Sequence, residues 1–370
     1  MTTYIKDSYR EKMFSSDSIK LDTHISKILK ISKPVLGTIL TLTCLFPMLF
    51  CSCRESSIPL ASGPEAHMTD SVMMKMTKGL EITCIKGLDI FTFDDDRLMR
   101  LDSYQKTDAS GYEKVGIHSR SGNKIIFICA NSMTDRYGWG DITSFHSLNG
   151  HYADLAEEDP QALFMTGVCH AEAGNGDLYE MDLRPLASEI CLRSISCDFT
   201  GKSYAGSLMK NVCVYLTNVN SRCSITADGA VMPTQIVNNG RLNEDEVAGF
   251  GYPEIIFRRL KQNVGSRKVN TDIRLLCYPN AAVEEGPGSP FTRLVIEGDI
   301  DGQTYWWPIE VNRSGDSGEE GIFRNRRYVY DIVIRRKGMT DPETPVDTDD
   351  IDISIETTAW NEKESYPIVF

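Results

Sequence analysis

Residue types able to do chemistry are plentiful in this sequence, and their spacing limits what they can do. No HExxH zinc helix, CxxC pair or GxSxG elbow occurs. Of the six histidines, His24 and His67 precede the first strand-like segment, while His118, His146, His151 and His170 fall in turns or on a short helix, at separations that match no metal-ligand set. Gly201-Lys202-Ser203 ends like a phosphate loop, but the position five residues before Gly201, which requires glycine, is Ser196. Asp94-Asp95-Asp96 and the group Asp347, Asp349 and Asp350 offer the hard oxygen ligands that calcium takes, without a glycine-punctuated loop, so solvated turns are the simpler reading. Trp306 and Trp307 are adjacent in a strand-like segment and must face opposite ways. One belongs to a core; the other either packs in the ordinary way or lines a sugar-binding or subunit surface. A non-enzymatic chain, with no metal and no cofactor, is the expectation.

One position is suited to covalent modification. From Pro34 to Phe50 run 17 residues without a charge, preceded by Lys27, Lys30 and Lys33. That is the basic, then apolar, then small-residue order of a secretory signal. A spanning helix needs about 20 apolar residues, and this run is shorter and holds Pro34 and Pro47. Phe50-Cys51-Ser52-Cys53 resembles a bacterial lipobox, with small Ser52 before the cysteine that would receive the lipid. Residues 1–52 then form a signal peptide with a long leader, in which Met13 is an alternative start, and Cys53 is the lipidated N-terminus. With an ordinary peptidase cut, Cys53 would instead be a spare thiol.

Residues 1–52 carry 7 basic and 4 acidic residues, which leaves 32 basic against 48 acidic residues and a formal charge of −16 on the mature chain. Phosphate backbones need a basic face, so nucleic acid is not an expected partner. Slightly over 300 residues remain, enough for two domains of ordinary size. Eleven cysteines at irregular spacing do not read as a disulfide framework. Cys84, Cys129, Cys191, Cys197, Cys213 and Cys277 lie in hydrophobic or alternating segments, and most read as small buried hydrophobes. Cys191 with Cys197, and Cys213 with Cys223, remain candidate pairs.

The elements that must position these residues are strands. Residues 53–79 read as a tether rich in Ser, Pro, Gly and Met. In the segment 80–96, Leu88 and Ile90 fall on one face and Phe91 and Phe93 on the other, as in a strand covered on both sides. Asn123–Asn131 is a nearly continuous apolar strand. Asp141–Gly150 is a short helix candidate with Asp141 able to cap it. Further strands are expected at 162–167 and 177–183, then at 188–199, 211–218 and 273–279. A hairpin over 294–311 turns at Asp301-Gly302. In the strand that follows, 326–336, Tyr328, Tyr330, Ile332 and Ile334 share a face. The stretch 219–272 reads as loops over a short helix near Glu254–Leu260. The resulting fold class is all-β, with an N-terminal sandwich over 80–185, a C-terminal sandwich over 186–337, and a linker with final strands over 338–370.

Several segments resemble the fimbrillins of Bacteroidales-type (type V) pili. They are KGLDIFTFDDDRLMRLDSYQK, then NKIIFICAN followed by DITSFHSL and ALFMTG. The most specific block is DGQTYWWPIEVN, a short gap, and RNRRYVYDIVIRRKGMTDPETPVDTDDIDISIETTAW. The resemblance implies two transthyretin-like Greek-key β-sandwich domains in tandem, with a short helix in the first. It also implies a surface lipoprotein of the outer membrane, held by its N-terminal lipid and joined to homologous fimbrial subunits by strand exchange. Ile351, Ile353 and Ile355 alternate with polar residues behind an acidic linker and, with Trp360, Tyr366, Ile368 and Phe370, are the donor-strand residues the resemblance suggests. The same residues read equally well as the last strands of their own sandwich. Maturation in this family can proceed through an arginine-directed cut, yet between Cys53 and Arg97 the only arginine is Arg54. That favours a retained lipid and an anchor or accessory role, with a lysine-directed cut at Lys75 or Lys78 as the other route. A reading from a different class is a monomeric surface lipoprotein that binds glycans through an aromatic platform at Trp306 or Trp307.

Overall fold

The computed structural model describes residues 70–78, 84–108, 114–132, 139–313, 319–346 and 351–360. Its first half contains β1 (Asp70–Lys78), β2 (Gly87–Asp94), β3 (Leu101–Asp108), β4 (Lys114–Ser119), β5 (Gly122–Ala130), the short β6 (Tyr152–Asp154), β7 (Met165–Ala173) and β8 (Leu178–Pro185). All but β6 form a seven-stranded sheet in the order β3-β2-β5-β7-β8-β1-β4. Its edges meet through side chains. Ser103 Oγ donates to the His118 carbonyl at 2.6 Å, and Gln105 Nε2 donates to the Gly116 carbonyl at 3.1 Å. The sheet therefore curls around its own core.

Strands β2 and β5 show the two-faced burial expected of them. Leu88, Ile90, Ile126 and Ile128 point into the curled core with Val72, Met74, Met76 and Ile117. Phe91, Phe93, Ile125 and Phe127 belong to a second cluster on the opposite face. That face is roofed by 3-10 turns at Trp139–Asp141 and Phe145–Gly150, with Phe145 edge-on to Phe93 at 5.5 Å and to Phe127 at 6.1 Å.

The helix expected over 141–150 is thus a 3-10 helix starting at Phe145. Ser147, and not Asp141, organises its entry: Ser147 Oγ accepts from the Thr143 and Ser144 amides and donates to the Ser144 carbonyl at 2.6 Å. The tether read over 53–79 is also shorter at its C-terminal end, because Asp70–Lys78 is a strand. Val72, Met74 and Met76 alternate with Met73 and Lys75 and fill the core side of the sheet.

The second half adds β9 (Ser188–Cys197), β10 (Lys210–Thr217), β11 (Val219–Asn220), β12 (Arg222–Ser224), β13 (Ile236–Val237), β14 (Phe257–Arg259), β15 (Val269–Cys277), β16 (Arg293–Ile300), β17 (Gln303–Glu310), β18 (Arg326–Ile334) and β19 (Ile351–Ala359). Two four-stranded sheets, β14-β10-β16-β17 and β15-β9-β18-β19, bury Val214, Leu216, Ile296 and Trp307 of one with Ile190, Leu192, Tyr330 and Ile332 of the other in one cluster. On β18, Tyr328, Tyr330, Ile332 and Ile334 are all buried, as the alternation requires. The β16–β17 hairpin turns through Asp301 at φ 53° and Gly302 at φ 83°, the left-handed pair of a type I′ turn.

In the stretch 219–272 the α-helix is Glu244–Ala248, with Asn243 Oδ1 accepting from the Asp245 and Glu246 amides. The region near Glu254–Leu260 instead holds a 3-10 turn at Pro253–Ile255 and then β14, which pairs Phe257 with Tyr215 and Arg259 with Cys213. Eight described cysteines are free thiols, so neither Cys191 with Cys197 nor Cys213 with Cys223 is bonded. Cys84 is exposed and the others are buried or half-buried. Burial pushes the thiols of Cys197 and Cys223 up to about 12, which makes them inert packing groups.

Candidate functional site

Two strands carry the geometry relevant to assembly. The first is β19, the last strand of its sheet. It runs antiparallel to β18, with Ile351 opposite Ile334, Ile353 opposite Ile332 and Ile355 opposite Tyr330. Ile351 is buried, and Ile353 and Ile355 pack half-buried against the same core. Trp360 closes the strand, buried, its amide donating to the Asn325 carbonyl at 3.0 Å. On the outer side, Asp352 pairs with Arg335, and Glu356 with Arg193 at 3.2 Å. No described strand pairs with the free edge of β19. The structure therefore gathers Ile351, Ile353, Ile355 and Trp360 into the chain's own sheet. Tyr366, Ile368, Phe370 and Cys53 lie outside the described residues.

The second is β1, which the sequence reading assigned to the tether. It lies between β8, to which it is parallel, and β4, to which it is antiparallel. Met74 faces Val115 in one register and Tyr179 in the other. Withdrawing β1 would leave two unpaired backbone edges above a floor that includes Ile117, Met181 and Leu183, all buried. Its outward contact is slight: Lys75 meets Glu180 at 2.8 Å, with both side chains at least half exposed. The alternation of Val72, Met74 and Met76 is the signal that locates this strand.

Two charged groups, the half-buried Arg324 and the buried Glu158, hold the first half against the second. Arg324, in the turn before β18, donates to the carbonyls of Pro185 at 3.0 Å, Ala227 at 2.8 Å, Thr166 at 3.0 Å and Arg184 at 2.7 Å. Burial pushes its guanidinium down to about 10. Glu158 accepts from the Phe164 amide at 3.0 Å and from the Tyr278 hydroxyl at 2.8 Å. Burial pushes its carboxyl up to about 7, against the opposing pull of those two donors. A short ladder adds to these ties, pairing Arg222 with Asp154 and Ser224 with Tyr152.

The remaining candidate positions have structural duties. Trp307 is fully buried and Trp306 half-buried on the opposite face, as adjacent strand residues must be. Trp306 donates to Glu297 at 3.0 Å, a carboxylate that Tyr215 also reaches at 3.1 Å, and it packs with Cys213, Tyr215 and Val295. Asp94 pairs with Lys124, Asp95 with His170, and Asp96 accepts the Leu98 and Met99 amides. Gly201-Lys202-Ser203 lies in a turn, with the Lys202 amide bonded to the Phe199 carbonyl. Among the described residues no group of three or more His, Cys, Asp or Glu is placed to hold a metal ion, and no helix is long and apolar enough to cross a membrane.

The described residues thus define an all-β class of protein whose sheets end in open edge strands. No protein-family model and no curated protein matches the sequence. Solved structures do. A protein of Parabacteroides distasonis provisionally described as a cell adhesion protein superposes with a TM-score of 0.60 at 16% identity, over 80% of this chain and 98% of that one. A protein of Bacteroides eggerthii with the same provisional description gives 0.59 at 13% identity, over 78% and 95%. A fimbrilin of Porphyromonas gingivalis gives 0.55 at 14% identity, over 78% and 97%. The chain has a fimbrillin-type fold.

Proposed function

We propose that the chain is a structural subunit of a cell-surface fimbria, built to join homologous subunits by strand donation and supporting adhesion. The single observation that carries this reading is β1. A nine-residue strand enters the first sheet from the N-terminus, sits between two strands of that sheet, and among its described side chains makes an outward ion pair that is itself exposed. A strand so placed can be exchanged for an extended segment of another subunit, which would regain the same ladders and alternating pockets. The segment beginning at Ile351, followed by Trp360, Tyr366, Ile368 and Phe370, is the donor in this reading, released from its own sheet edge or extended beyond it.

The chain is further proposed to be an outer-membrane lipoprotein acylated on Cys53, with tandem sandwich domains dividing near residue 186. No arginine lies between Arg54 and Arg97, so no arginine-directed cut falls between β1 and β2, and a retained lipid with β1 in place suits an anchor or accessory subunit. A cut at Lys75 or Lys78 would instead open the slot and suit a shaft or tip subunit.

The test uses protein from the native cell surface, with mass spectrometry of the N-terminus and SDS electrophoresis of unheated and heated samples. A lipidated Cys53 in a heat-dissociable ladder is the expected result. A new unlipidated N-terminus in the ladder would keep the fimbrial role and replace the anchor assignment. A lipidated monomer without a ladder would refute assembly.

A further inference from the structure

Among the described residues, Lys124 is the one lysine in the buried core. It stands on the face of β5 that carries Ile126 and Ile128, directly opposite Asp94 of β2 on one side and Ala171 of β7 on the other. Its Nζ lies 2.6 Å from Asp94 Oδ1 and 2.9 Å from Asp102 Oδ2. The side chains of Lys124 and Asp102 are 2% and 0% exposed, and that of Asp94 is 33% exposed.

Asp102 reaches this position through an irregularity. The β2–β3 register pairs Thr92 with Ser103 and Phe93 with Leu101, which leaves Asp102 as the extra residue. A bulge of this kind re-aims a side chain. The Arg120 amide donates to Asp102 Oδ2 at 2.9 Å, and Arg120 Nε lies 3.4 Å from Oδ1. Oδ1 itself is buried without a hydrogen bond.

We propose that Lys124 and Asp102 condense into an intramolecular amide, with Asp94 as the proton carrier. A buried amine and carboxylate held in contact are the two reactants of amide formation, already oriented. Lys124 Nζ passes a proton to Asp94, and the free amine attacks Asp102 Cγ. The negative charge that develops on the Asp102 oxygen faces the Arg120 amide and guanidinium. One carboxylate oxygen then leaves with two hydrogens of the original ammonium as water, and Asp94 gives back the proton it carried. One positive and one negative charge disappear together, and the step needs no oxidant or co-reactant.

Removing two charges from a buried site also removes their desolvation cost. Burial works against the Lys124 ammonium, but hydrogen bonds to Asp94 and Asp102 outweigh it and hold the group above its ordinary value. Lys124 is therefore an ammonium in the newly folded chain, and condensation is a slow maturation step that follows folding. The product would tie β5 to β3 across β2 and brace the curled sheet at one end, whether or not β1 is in place.

The test is a tryptic map of the full chain, purified after folding and held at neutral pH until its mass is constant. The expected product joins residues 101–106 to residues 121–136, with Lys124 uncleaved and a mass about 18 Da below the sum of the two peptides, the loss of one water. In Asp102→Asn the same joined peptide should lose about 17 Da, one ammonia. Asp94→Ala and Lys124→Arg should give no joined peptide. Separate peptide 101–106 and complete cleavage after Lys124 in the folded wild-type chain would overturn the proposal, and this measurement does not depend on whether any variant folds. A crosslink to residues 87–97, which contain Asp94, would overturn the assignment of Asp102 as acceptor.

Discussion

Met74→Ala tests whether β1 is a strand that can leave by itself. Met74 is fully buried in the curled core, its sulfur 3.9 Å from Cys169 Sγ. Truncating a buried methionine costs about 2–5 kcal/mol. Among the described side chains, the buried Val72, Met74 and Met76 hold the strand together with its ladders to β4 and β8. A loss of about 3 kcal/mol at Met74 should favour release of β1 over unfolding of the whole sheet. Hydrogen exchange read by mass spectrometry should show the amides of β1, and of the β4 and β8 edges facing it, exchanging roughly a hundredfold faster. The amides of β5, paired on both sides by β2 and β7, should keep their protection. Lys75→Ala, which removes only an exposed ion pair, should change the pattern little. An equal acceleration across β1 and β5 would refute the idea that the slot can open without unfolding. So would a Met74→Ala protein whose β1 exchanges as in wild type.

Two further perturbations probe the junction between the halves. Arg324→Met should lower stability by about 3–5 kcal/mol, because it leaves the carbonyls of Pro185, Ala227, Thr166 and Arg184 without their shared donor. A thermal midpoint equal to wild type would show that the turn before β18 does not bolt the halves together. Glu158, whose carboxyl is raised by burial to about 7, binds a proton more tightly folded than unfolded. Its contribution to stability should therefore be fully present below the unfolded value of about 4.3, fall as pH rises to about 7, and be lost above it, a loss on the order of 3 kcal/mol. The stability difference between wild type and Glu158→Gln, from urea midpoints across that window, should change by that amount; a difference independent of pH would refute the assignment.

Much of the architecture is legible in local pattern. Apolar residues at both parities in β2 and β5 announce strands covered on two faces, and the structure puts Leu88 and Phe91 in different clusters accordingly. The alternation of Tyr328, Tyr330, Ile332 and Ile334 identifies the buried face of β18. Asp301-Gly302 places the hairpin turn, because only that pair supplies two adjacent left-handed residues there. Adjacency alone separates Trp306 from Trp307. The exceptions are also local. Phe257–Arg259 could continue a helix by composition, but the open edge of β10 recruits it as a strand, and β1 was hidden because Met-rich alternation lacks β-branched character.

By itself, then, the sequence determines most of the long strands, which face of each is apolar, where the tightest turn falls, and that no familiar catalytic spacing is present. Each of these follows from the two-residue period of a strand or from the backbone freedom of one residue pair. Only the tertiary structure decides that β1 lies between β4 and β8, that Ile351, Ile353 and Ile355 rest on β18, and that Asp94 and Asp102, out of all the acids, meet Lys124. Those pairings join residues far apart along the chain. They depend on register and on one irregular residue in β3, and the energy that selects them is shared across the whole curled sheet, beyond the reach of any local pattern.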